Sequence, residues 1–556
     1  MVKKIAVTHR HSQFPLLTAV NYPISEYFPI KRQPLPLQRR FEKGKDNNQL
    51  VMKHSMSWKI FHKWAGLIVT VFILLFCVSG IILNHRALFA GCNVSRNLLP
   101  SGYHITNYNN GVIKGTLPLD SCTVAAFGNV GVWLTDRDFS RFADFNAGLP
   151  KGIDHRNVKG MVKTGDGDIW CATQFGLYRL INAEWKEVTL PGNEERISDI
   201  TMSPDSTGIV VLTRSAGYIV PLHPGSAVQP SRITINPPTG YNPKVTLFKT
   251  VWMLHSGELF GTVGKLAVDA IAIVISFLCI TGIILFILPR TLRKSLRTRS
   301  AGMLHKRASI LKWNFHWHDR IGYVTVILTI LLAVTGMCLR PPLMIPMVMT
   351  ETAPLPGSTL DNENVWHDKL RGLRWDATSG KWLISTSEGF IAVNEDFSGT
   401  PDRLPSAPPV SPMGINVFEP REDGEWLIGS FSGLYRWSPS TGDVTDYFTG
   451  EPYNRAERRR MSAARLISGF TNNLNGREPI VFDYSKGAEN LPPTDALLAS
   501  QPMSLWNAAL ELHVGRCYAP VLGVFSELFV FLSGLILTLI LLSGYIVHRQ
   551  LRRKRH

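Results

Sequence analysis

The sequence predicts a membrane protein with a bundle of four helical spans, built from two repeats, and an exported all-β domain that is propeller-like. Three observations support this class. Apolar runs of membrane length lie near 64–84, 266–288, 321–339 and 524–547. Histidine motifs recur in both halves of the chain, and tryptophan-rich repeats occupy the long segments between the runs. The two halves are therefore expected to share one design.

The order of the segments follows from the apolar runs and from the charge. The 556 residues carry a formal net charge of +17, and Lys and Arg are concentrated in the leader, the central link and the tail. Cytoplasmic loops are enriched in these residues, so we expect both termini in the cytoplasm, lipid around the spans and no nucleic acid partner. The predicted divisions are a basic leader over 1–57, spans over 58–87, 249–289, 313–341 and 504–548, exported β regions over 88–248 and 342–503, a basic link over 290–312 and a basic tail over 549–556.

The two exported regions are predicted to form short strands joined by tight turns, because they are rich in Gly, Trp, Thr and Asp and lack a helical period. A pattern around Trp170, G-D-I-W-C-A-T and then G-L-Y-R, returns around Trp426, with weaker copies at Trp133 and Trp382. It resembles the periplasmic propeller repeats of bacterial sensor kinases. We expect one shared propeller or two packed half-propellers, with these aromatic residues in the blade cores.

Histidines recur at matched positions of the spans. His62 and His318 open the first and third spans, and His255 and His513 precede the second and fourth apolar runs in the pattern L-H-x-G. Histidine near hydrocarbon rarely persists without a role. Glycines at +4 and +18 from the first two histidines share their helix stripe and leave room for a flat group or another helix. These glycines are Gly66, Gly80, Gly322 and Gly336.

Two imidazoles from different helices, facing each other in an apolar pocket, can hold a b-type haem. A two-fold bundle offers His62 with His318 on the inner side and His255 with His513 on the outer side. We therefore expect two haem b groups with these four histidines as iron ligands. Other histidines remain open as partners, and a single histidine at such a position is more often a helix anchor. These other histidines are His85, His316 and His548.

Two acids follow the outer histidines inside apolar sequence. Asp269 and Glu527 each lie 14 residues after their histidine, which on a continuous helix places them about 21 Å deeper. A proton relay and a structural ion pair, for instance with Lys265 or Arg320, are equally open. Among the exported cysteines, a disulfide between Cys92 and Cys122 is one option.

The motifs together resemble a known family. The F-H-K-W-A-G-L opening at Phe61, the L-H-S-G-x-x-F-G-x-x-G-K segment over 254–265 and the basic link are similar to the PepSY-associated transmembrane family. This resemblance implies a bacterial inner-membrane protein of the siderophore-iron reductase type, with haem held between four helices. It implies His62, His255, His318 and His513 as ligands. The propeller-like repeats depart from the small α+β domains that name the family.

The resulting functional hypothesis is a redox protein that passes electrons outward to a ferric siderophore complex beneath the propeller. No G-x-G-x-x-G follows a strand, so the expected donor is membrane quinol or a separate cytoplasmic reductase. The competing hypothesis is a membrane-anchored sensor or scaffold whose propeller binds a ligand or partner. A third is a transporter accessory that uses Asp269 and Glu527 to move protons.

Overall fold

The computed structural model describes residues 45–192, 196–222, 229–297, 301–454, 465–474 and 478–553. Side chains are described from residue 57 onward, except at 293–297 and 301–304. The chain divides into two units, Met1–Met56 and Ser57–His556. Only helical backbone from Lys45 onward is described in the first unit, so most of the predicted leader over 1–57 lies outside the described residues.

Four of the described helices are long and apolar enough to cross a membrane, which confirms the predicted number of spans. The apolar spans are Ser57–Asn84, Glu258–Leu292, His305–Cys338 and Arg516–Arg553. The α-helices in chain order are α1 (Lys45–Asn84), α2 (Arg86–Phe89), α3 (Leu247–Ser256), α4 (Gly261–Arg297), α5 (Ala301–Cys338), α6 (Met344–Met349), α7 (Ala496–Ala499), α8 (Leu505–His513), α9 (Ala519–Leu522) and α10 (Ser526–Arg553).

The long helices continue beyond the predicted spans. Both α4 and α5 extend into the predicted basic link over 290–312. Lys, Arg and Leu are good helix formers, so a helix leaving the bilayer has no reason to stop at the first charge. The hydropathy of the sequence shows where the chain becomes polar, but it does not show where the helix ends.

The strands form sheets of sequential antiparallel hairpins. The strands in chain order are β1 (Asn93–Val94), β2 (Gly115–Pro118), β3 (Thr123–Gly128), β4 (Gly131–Asp136), β5 (Phe142–Asp144), β6 (Val158–Lys163), β7 (Ile169–Thr173), β8 (Leu177–Ile181), β9 (Glu184–Val188), β10 (Ile197–Met202), β11 (Gly208–Thr213), β12 (Gly217–Pro221), β13 (Ser231–Ile233), β14 (Val245–Thr246), β15 (Glu351–Thr352), β16 (Leu370–Asp376), β17 (Lys381–Thr386), β18 (Gly389–Asn394), β19 (Asp402–Leu404), β20 (Val417–Pro420), β21 (Trp426–Ser430), β22 (Gly433–Trp437), β23 (Val444–Asp446), β24 (Ile467–Thr471), β25 (Ile480–Asp483) and β26 (Met503–Ser504).

The described residues form six blade-like sheets. Five have four strands, namely β2–β5, β6–β9, β10–β13, β16–β19 and β20–β23, and the sixth pairs β24 with β25. The first strands of successive sheets contact one another, including β10 of the first exported region and β16 of the second. The last sheet contacts the first, where the Phe470 amide donates to the Lys114 carbonyl at 3.0 Å. The β regions over 88–248 and 342–503 therefore build one propeller-like set of sheets.

The repeated tryptophans lie inside these sheets, as predicted. Trp133, Trp170, Trp382 and Trp426 are all buried. Each lies on the second or third strand of its sheet, where one face packs on the neighbouring blade. Burial of these large rings supplies much of the hydrophobic driving force between blades.

Two small ladders connect the sheets to the helices. β1 pairs with β26, and β14 pairs with β15. β14 leads directly into α3 and β26 into α8, and the hydroxyls of Thr246 and Ser504 cap these helices by accepting from backbone amides. Each short helix ends on a histidine or one residue after it. Its chain then turns at Gly257 or Gly515, both with positive φ.

These turns correct one prediction. A continuous helix from His255 to Asp269 does not exist, because α3 ends at Ser256 and α4 begins at Gly261. The acid is therefore not 21 Å deeper than the histidine. The glycine in L-H-x-G, Gly257, has a positive φ and ends the short helix instead.

The cysteines are all free. Cys92 and Cys122 are exposed and unbonded, so the suggested disulfide is absent. Cys171 is buried in the second blade-like sheet, where it behaves as a small apolar residue.

Candidate functional site

Four histidines lie in two pairs within the helical bundle. The rings of His255 and His513 have centroids 6.2 Å apart, next to the sheets. The rings of His62 and His318 have centroids 6.1 Å apart, toward the opposite end of the helices. These are called the sheet-side pair and the far pair. The structure thus brings together the same partners that the two-fold repeat predicts.

Each histidine packs against a hydroxyl residue and a glycine on a neighbouring helix. In the sheet-side pair, His255 Nδ1 lies 3.1 Å from Thr335 Oγ1, and His513 Nδ1 lies 2.9 Å from Ser79 Oγ. The residue after each hydroxyl is glycine, Gly336 or Gly80, and an added Cβ there would lie 2.7 or 3.3 Å from the facing Cε1. Each ring is therefore held by a hydrogen bond from Nδ1 to the hydroxyl oxygen and by close packing against the glycine.

The far pair repeats this arrangement on the other helices. His318 Nδ1 lies 2.8 Å from Thr281 Oγ1, and His62 Nδ1 lies 3.0 Å from Ser543 Oγ. The following residues are again glycines. Gly544 is close to His62, where a Cβ would approach Cε1 to 3.0 Å, and Gly282 leaves 3.7 Å to Cε1 of His318. One Ser-Gly or Thr-Gly dipeptide from each long helix thus supports one histidine.

The hydroxyl groups determine which ring nitrogen carries the proton. Each hydroxyl lies within hydrogen-bond distance of a carbonyl one turn earlier in its own helix, at 2.7 or 2.8 Å. A hydroxyl has one proton, and here it is donated to that carbonyl, so the oxygen accepts from the imidazole. Two further carbonyls confirm the direction, since Ile540 O lies 3.0 Å from His62 Nδ1 and Phe76 O lies 3.1 Å from His513 Nδ1.

The consequence is that Nε2 of each ring is an unprotonated nitrogen with an available lone pair. The described residues give none of these four Nε2 atoms a hydrogen-bond partner. A neutral imidazole that donates from Nδ1 to a fixed acceptor is the state in which proteins present Nε2 to a metal. Each ring therefore presents Nε2 in the state that can bind a metal.

The spacing of each pair fits one metal ion between two rings. A metal–imidazole bond is about 2 Å, so two rings that bind one ion from opposite sides have centroids roughly 6 Å apart. The observed separations of 6.2 and 6.1 Å match this geometry. An apolar surround is also present near the sheet-side pair, in Ile73, Ala272 and Ile275. The donor chemistry and spacing of each pair fit haem iron, which would be held by both histidines of the pair.

The sheet-side pair opens into a large internal cavity. This cavity has a volume of about 3250 Å³, and its lining runs from His255, His513 and Gly336 up to the first strands of the blade-like sheets. Ordinary ligand pockets measure about 300–1,000 Å³. The space therefore exceeds what a single drug-sized molecule needs and joins the helical bundle to the sheets.

The other predicted residues lie as follows. An added Cβ at Gly66 would have no neighbour within 4 Å, and an added Cβ at Gly322 would lie 3.7 Å from Leu278 Cδ2. Gly80 and Gly336 do contact histidines, but not the histidine of their own helix: they support the sheet-side pair. Distance explains this, because His62 and Ser79, the residue before Gly80, lie 17 residues and about 25 Å apart along α1.

The two acids do not form a matched pair. Asp269 accepts from Asn84 Nδ2 at 3.1 Å and lies 2.6 Å from His85 Nε2, which ties α4 to the sheet end of α1. Glu527 opens α10, and the described residues give it no hydrogen bond or ion pair. Lys265 pairs with Glu258 at 3.1 Å rather than with either acid.

The alternative histidines have other contacts. His85 is held by Asp269, and His548 Nδ1 lies 2.8 Å from Asp319 Oδ1 and stacks on Tyr323 at 4.2 Å. His316 is exposed and contacts Trp317. None of these three is placed opposite another imidazole.

Sequence reasoning missed the four hydroxyl residues and two of the supporting glycines, Gly282 and Gly544. A signal was present, because each long apolar run contains Ser-Gly or Thr-Gly near one end. Such dipeptides are common in packed membrane helices. Only the contact with a histidine of another helix gives them meaning.

The fold and site define a four-span helical membrane protein with a propeller-like sheet domain. Residues 177–550 match the family described as the PepSY-associated TM region, and the chain belongs to that family. No curated protein matches the chain at a significant level.

Several solved structures resemble the chain weakly. The extracellular domain of BT4673 from B. thetaiotaomicron has a TM-score of 0.32 and 10% identity, covering 68% of this chain and 32% of that one. Virginiamycin B lyase from Staphylococcus aureus has a TM-score of 0.31 and 9% identity, covering 69% and 80%. The C-terminal WD40 domain of Sif2 has a TM-score of 0.30 and 9% identity, covering 69% and 96%.

Proposed function

We propose that the protein is a haem-binding electron carrier of the bacterial inner membrane, which passes electrons outward to a ferric, siderophore-type complex. The far pair would hold one haem b and the sheet-side pair a second. When bound, haem supplies one-electron transfer. The sheets would lie on the periplasmic side, with the basic termini in the cytoplasm, as the charge distribution of the sequence favours.

The observation that carries the proposal is the paired set of imidazoles with fixed tautomers. Four separate hydroxyls accept from four Nδ1 atoms and leave four Nε2 atoms available, on rings whose centroids lie 6.1 and 6.2 Å apart in the two pairs. Histidines that only anchor helices would not need this repeated support. The cavity above the sheet-side pair supports the outward direction, because it offers space for a complex beside that pair.

The residues of the bundle also explain how iron would be kept from water. His62 and His318 belong to two of the apolar spans, where lipid would limit the access of water. The sheet-side pair lies at the floor of the cavity, where an external complex could approach its edge. The electron donor would be membrane quinol or a separate cytoplasmic reductase.

The decisive experiment is the absorbance spectrum of the purified protein, oxidised and then reduced, with haem quantified per chain. We expect a b-type signal with two haems, and about half of it lost in His255→Ala or in His62→Ala. His316→Ala is the matched control, because His316 is exposed and faces no imidazole.

Two results would contradict the proposal. One is a colourless preparation from cells supplied with haem, which would favour the sensor or scaffold hypothesis. The other is a haem signal that survives replacement of each of the four paired histidines.

A further inference from the structure

A group of cations lines the cavity where the first strands of the sheets begin. Lys114 immediately precedes β2, Arg196 precedes β10, and Lys159 and Arg371 are the second residues of β6 and β16. Arg214 follows β11 and faces the same space. These five residues are called the axial basic cluster. They come from four blade-like sheets and from both exported regions.

Acids near this cluster are already paired with cations, among them Asp199 with Arg374 at 2.6 Å and Glu388 with Lys369 at 2.6 Å. Asp368 serves three cations at once: Arg214 at 2.8 Å, Lys249 at 3.2 Å and Arg196 at 3.5 Å. The nearby Asp154 is fully engaged by Arg86 through two hydrogen bonds of 2.7 Å. The local charge therefore remains positive.

Three members of the cluster have no acidic hydrogen-bond partner. Lys114 donates to the Asn157 side chain at 2.8 Å and the Val158 carbonyl at 3.3 Å, and Arg371 donates to two backbone carbonyls at 3.0 Å. Within the described part of the chain, Lys159 has neither a hydrogen bond nor an ion pair. Its side chain lines the cavity.

This arrangement lowers the pKa values of two lysines in the cluster. Burial and the neighbouring cations Lys114, Arg86 and Arg214 hold the pKa of Lys159 well below its usual value. Burial, with Arg86 nearby, lowers the pKa of Lys114 to about 7. Cations removed from water without counter-charges are unfavourable, and a bound anion would relieve the cost.

We propose that the axial basic cluster binds a small polyanion, one that carries several carboxylates or other anionic oxygens. The cluster lies between the sheets and α3, since Lys249 of α3 shares Asp368 with it. Lys249 precedes His255 by six residues, about 9 Å of helix. The bound anion would therefore lie above the sheet-side pair.

The anion site does not depend on haem. Only the further assignment of the bound anion as an anionic ferric complex awaiting reduction rests on the proposed function. Arg and Lys together suit such a ligand, because guanidinium groups bind carboxylates in a planar fork and ammonium groups add mobile point charges.

The test is calorimetric titration of the full-length protein in neutral detergent with citrate as the probe, at constant chloride. We expect saturable binding by the wild type and about tenfold or greater weakening in Lys159→Gln and in Arg371→Gln, as for the loss of a charged hydrogen bond. Lys186→Gln is the matched control. Lys186 is an exposed residue of the same sheet as Lys159, and its substitution removes the same charge.

Thermal unfolding without citrate checks that the variants fold. Lys159→Gln should unfold at the wild-type temperature or above, because Lys159 has no partner to lose. Arg371→Lys, which keeps the charge, should bind citrate better than Arg371→Gln. The proposal is overturned if the wild type shows no saturable heat change at millimolar citrate. It is also overturned if Lys159→Gln and Arg371→Gln bind citrate with the affinity of the control.

The haem measurement separates this proposal from the previous one. Citrate binding by a colourless preparation would support the anion site and contradict electron transfer. A haem signal without citrate binding would support electron transfer and contradict the anion site.

Discussion

At the residue scale, the site depends on where four hydroxyl protons go. Ser79, Thr281, Thr335 and Ser543 donate to carbonyls of their own helices, and this leaves their oxygens as acceptors for imidazole. A hydroxyl that bonds back to its helix normally has no further role. Here the back-bond fixes the tautomer of a neighbouring histidine, which a carboxylate or a carbonyl does in many metal sites.

The supporting glycines give a graded prediction. Gly336→Ala places a methyl group 2.7 Å from Cε1 of His255, whereas Gly282→Ala leaves 3.7 Å to His318. We expect Gly336→Ala to cost about 1–3 kcal/mol of stability by overpacking and to abolish binding of the haem proposed for the sheet-side pair. Gly282→Ala should be neutral or slightly stabilising, because alanine favours helix over glycine.

Thermal unfolding and haem content per chain measure both effects. Gly66→Ala is a second control, because nothing lies within 4 Å of its added Cβ. Equal haem content in Gly336→Ala and Gly282→Ala would show that the glycine contact does not position the ring.

At the element scale, the short helices α3 and α8 are what bring the sheet-side histidines into the bundle. Each is capped by a hydroxyl residue at its start and followed by a glycine turn. The turn at Gly257 is tight, since an added Cβ would lie 2.3 Å from the Gly264 carbonyl oxygen. The histidine therefore stays at the sheet end of the bundle instead of continuing into a span.

The contact between the last and the first sheet gives a prediction at this scale. An added Cβ at Gly469 would lie 2.3 Å from the Lys114 carbonyl oxygen and 2.4 Å from its Cα. Backbone atoms on both sides cannot move aside cheaply, so we expect Gly469→Ala to lower the free energy of unfolding by about 3 kcal/mol. Gly165→Ala, with open space around its Cβ, is the control.

Thermal unfolding of the purified full-length protein, followed by tryptophan fluorescence, measures the difference. Gly165→Ala should lie within about 0.5 kcal/mol of the wild type. If the two variants unfold together, the contact between the first and last sheets does not contribute to stability.

At the scale of the whole molecule, the two halves are interleaved. One apolar core joins Val210 and Leu212 of the first β region with Trp366 and Leu373 of the second. In the bundle, α1 packs its Ser-Gly against a histidine of the second half, and α5 packs its Thr-Gly against one of the first. The repeat therefore makes each half incomplete without the other.

The cavity predicts a pH dependence of anion binding. The pKa of Lys114 is lowered to about 7 by burial and by Arg86, and burial and the neighbouring cations hold the pKa of Lys159 well below its usual value. A bound anion favours the charged lysine and raises its pKa, so binding above this pKa takes up a proton. Affinity should fall as the pH rises through 7, by up to about tenfold per pH unit for each lysine that takes up a proton on binding.

Sulfate is the appropriate probe, because its charge does not change over this range. Titrations at about pH 6 and pH 8 give the comparison, and Lys114→Gln should reduce the difference between them. Equal sulfate affinities at both pH values in the wild type would contradict the linkage.

Much of the architecture was available from the sequence. Hydropathy identified four spans, the tryptophan repeat identified blade-like sheets, and the duplicated histidines indicated which rings face each other. These features depend on local composition and on periodicity, which a single chain displays directly. The ends of the helices, the unbonded cysteines and the partner of Asp269 were not available in this way.

The sequence by itself determined the classes of structure and the repeat, because burial in lipid or in a blade core imposes composition on every stretch of chain. Only the tertiary structure decided that Gly80 and Gly336 support histidines of other helices, that Gly257 separates His255 from its span, and that cations from four sheets meet above the sheet-side pair. These are contacts between residues far apart in the chain, and they exist only once the helices and sheets have packed.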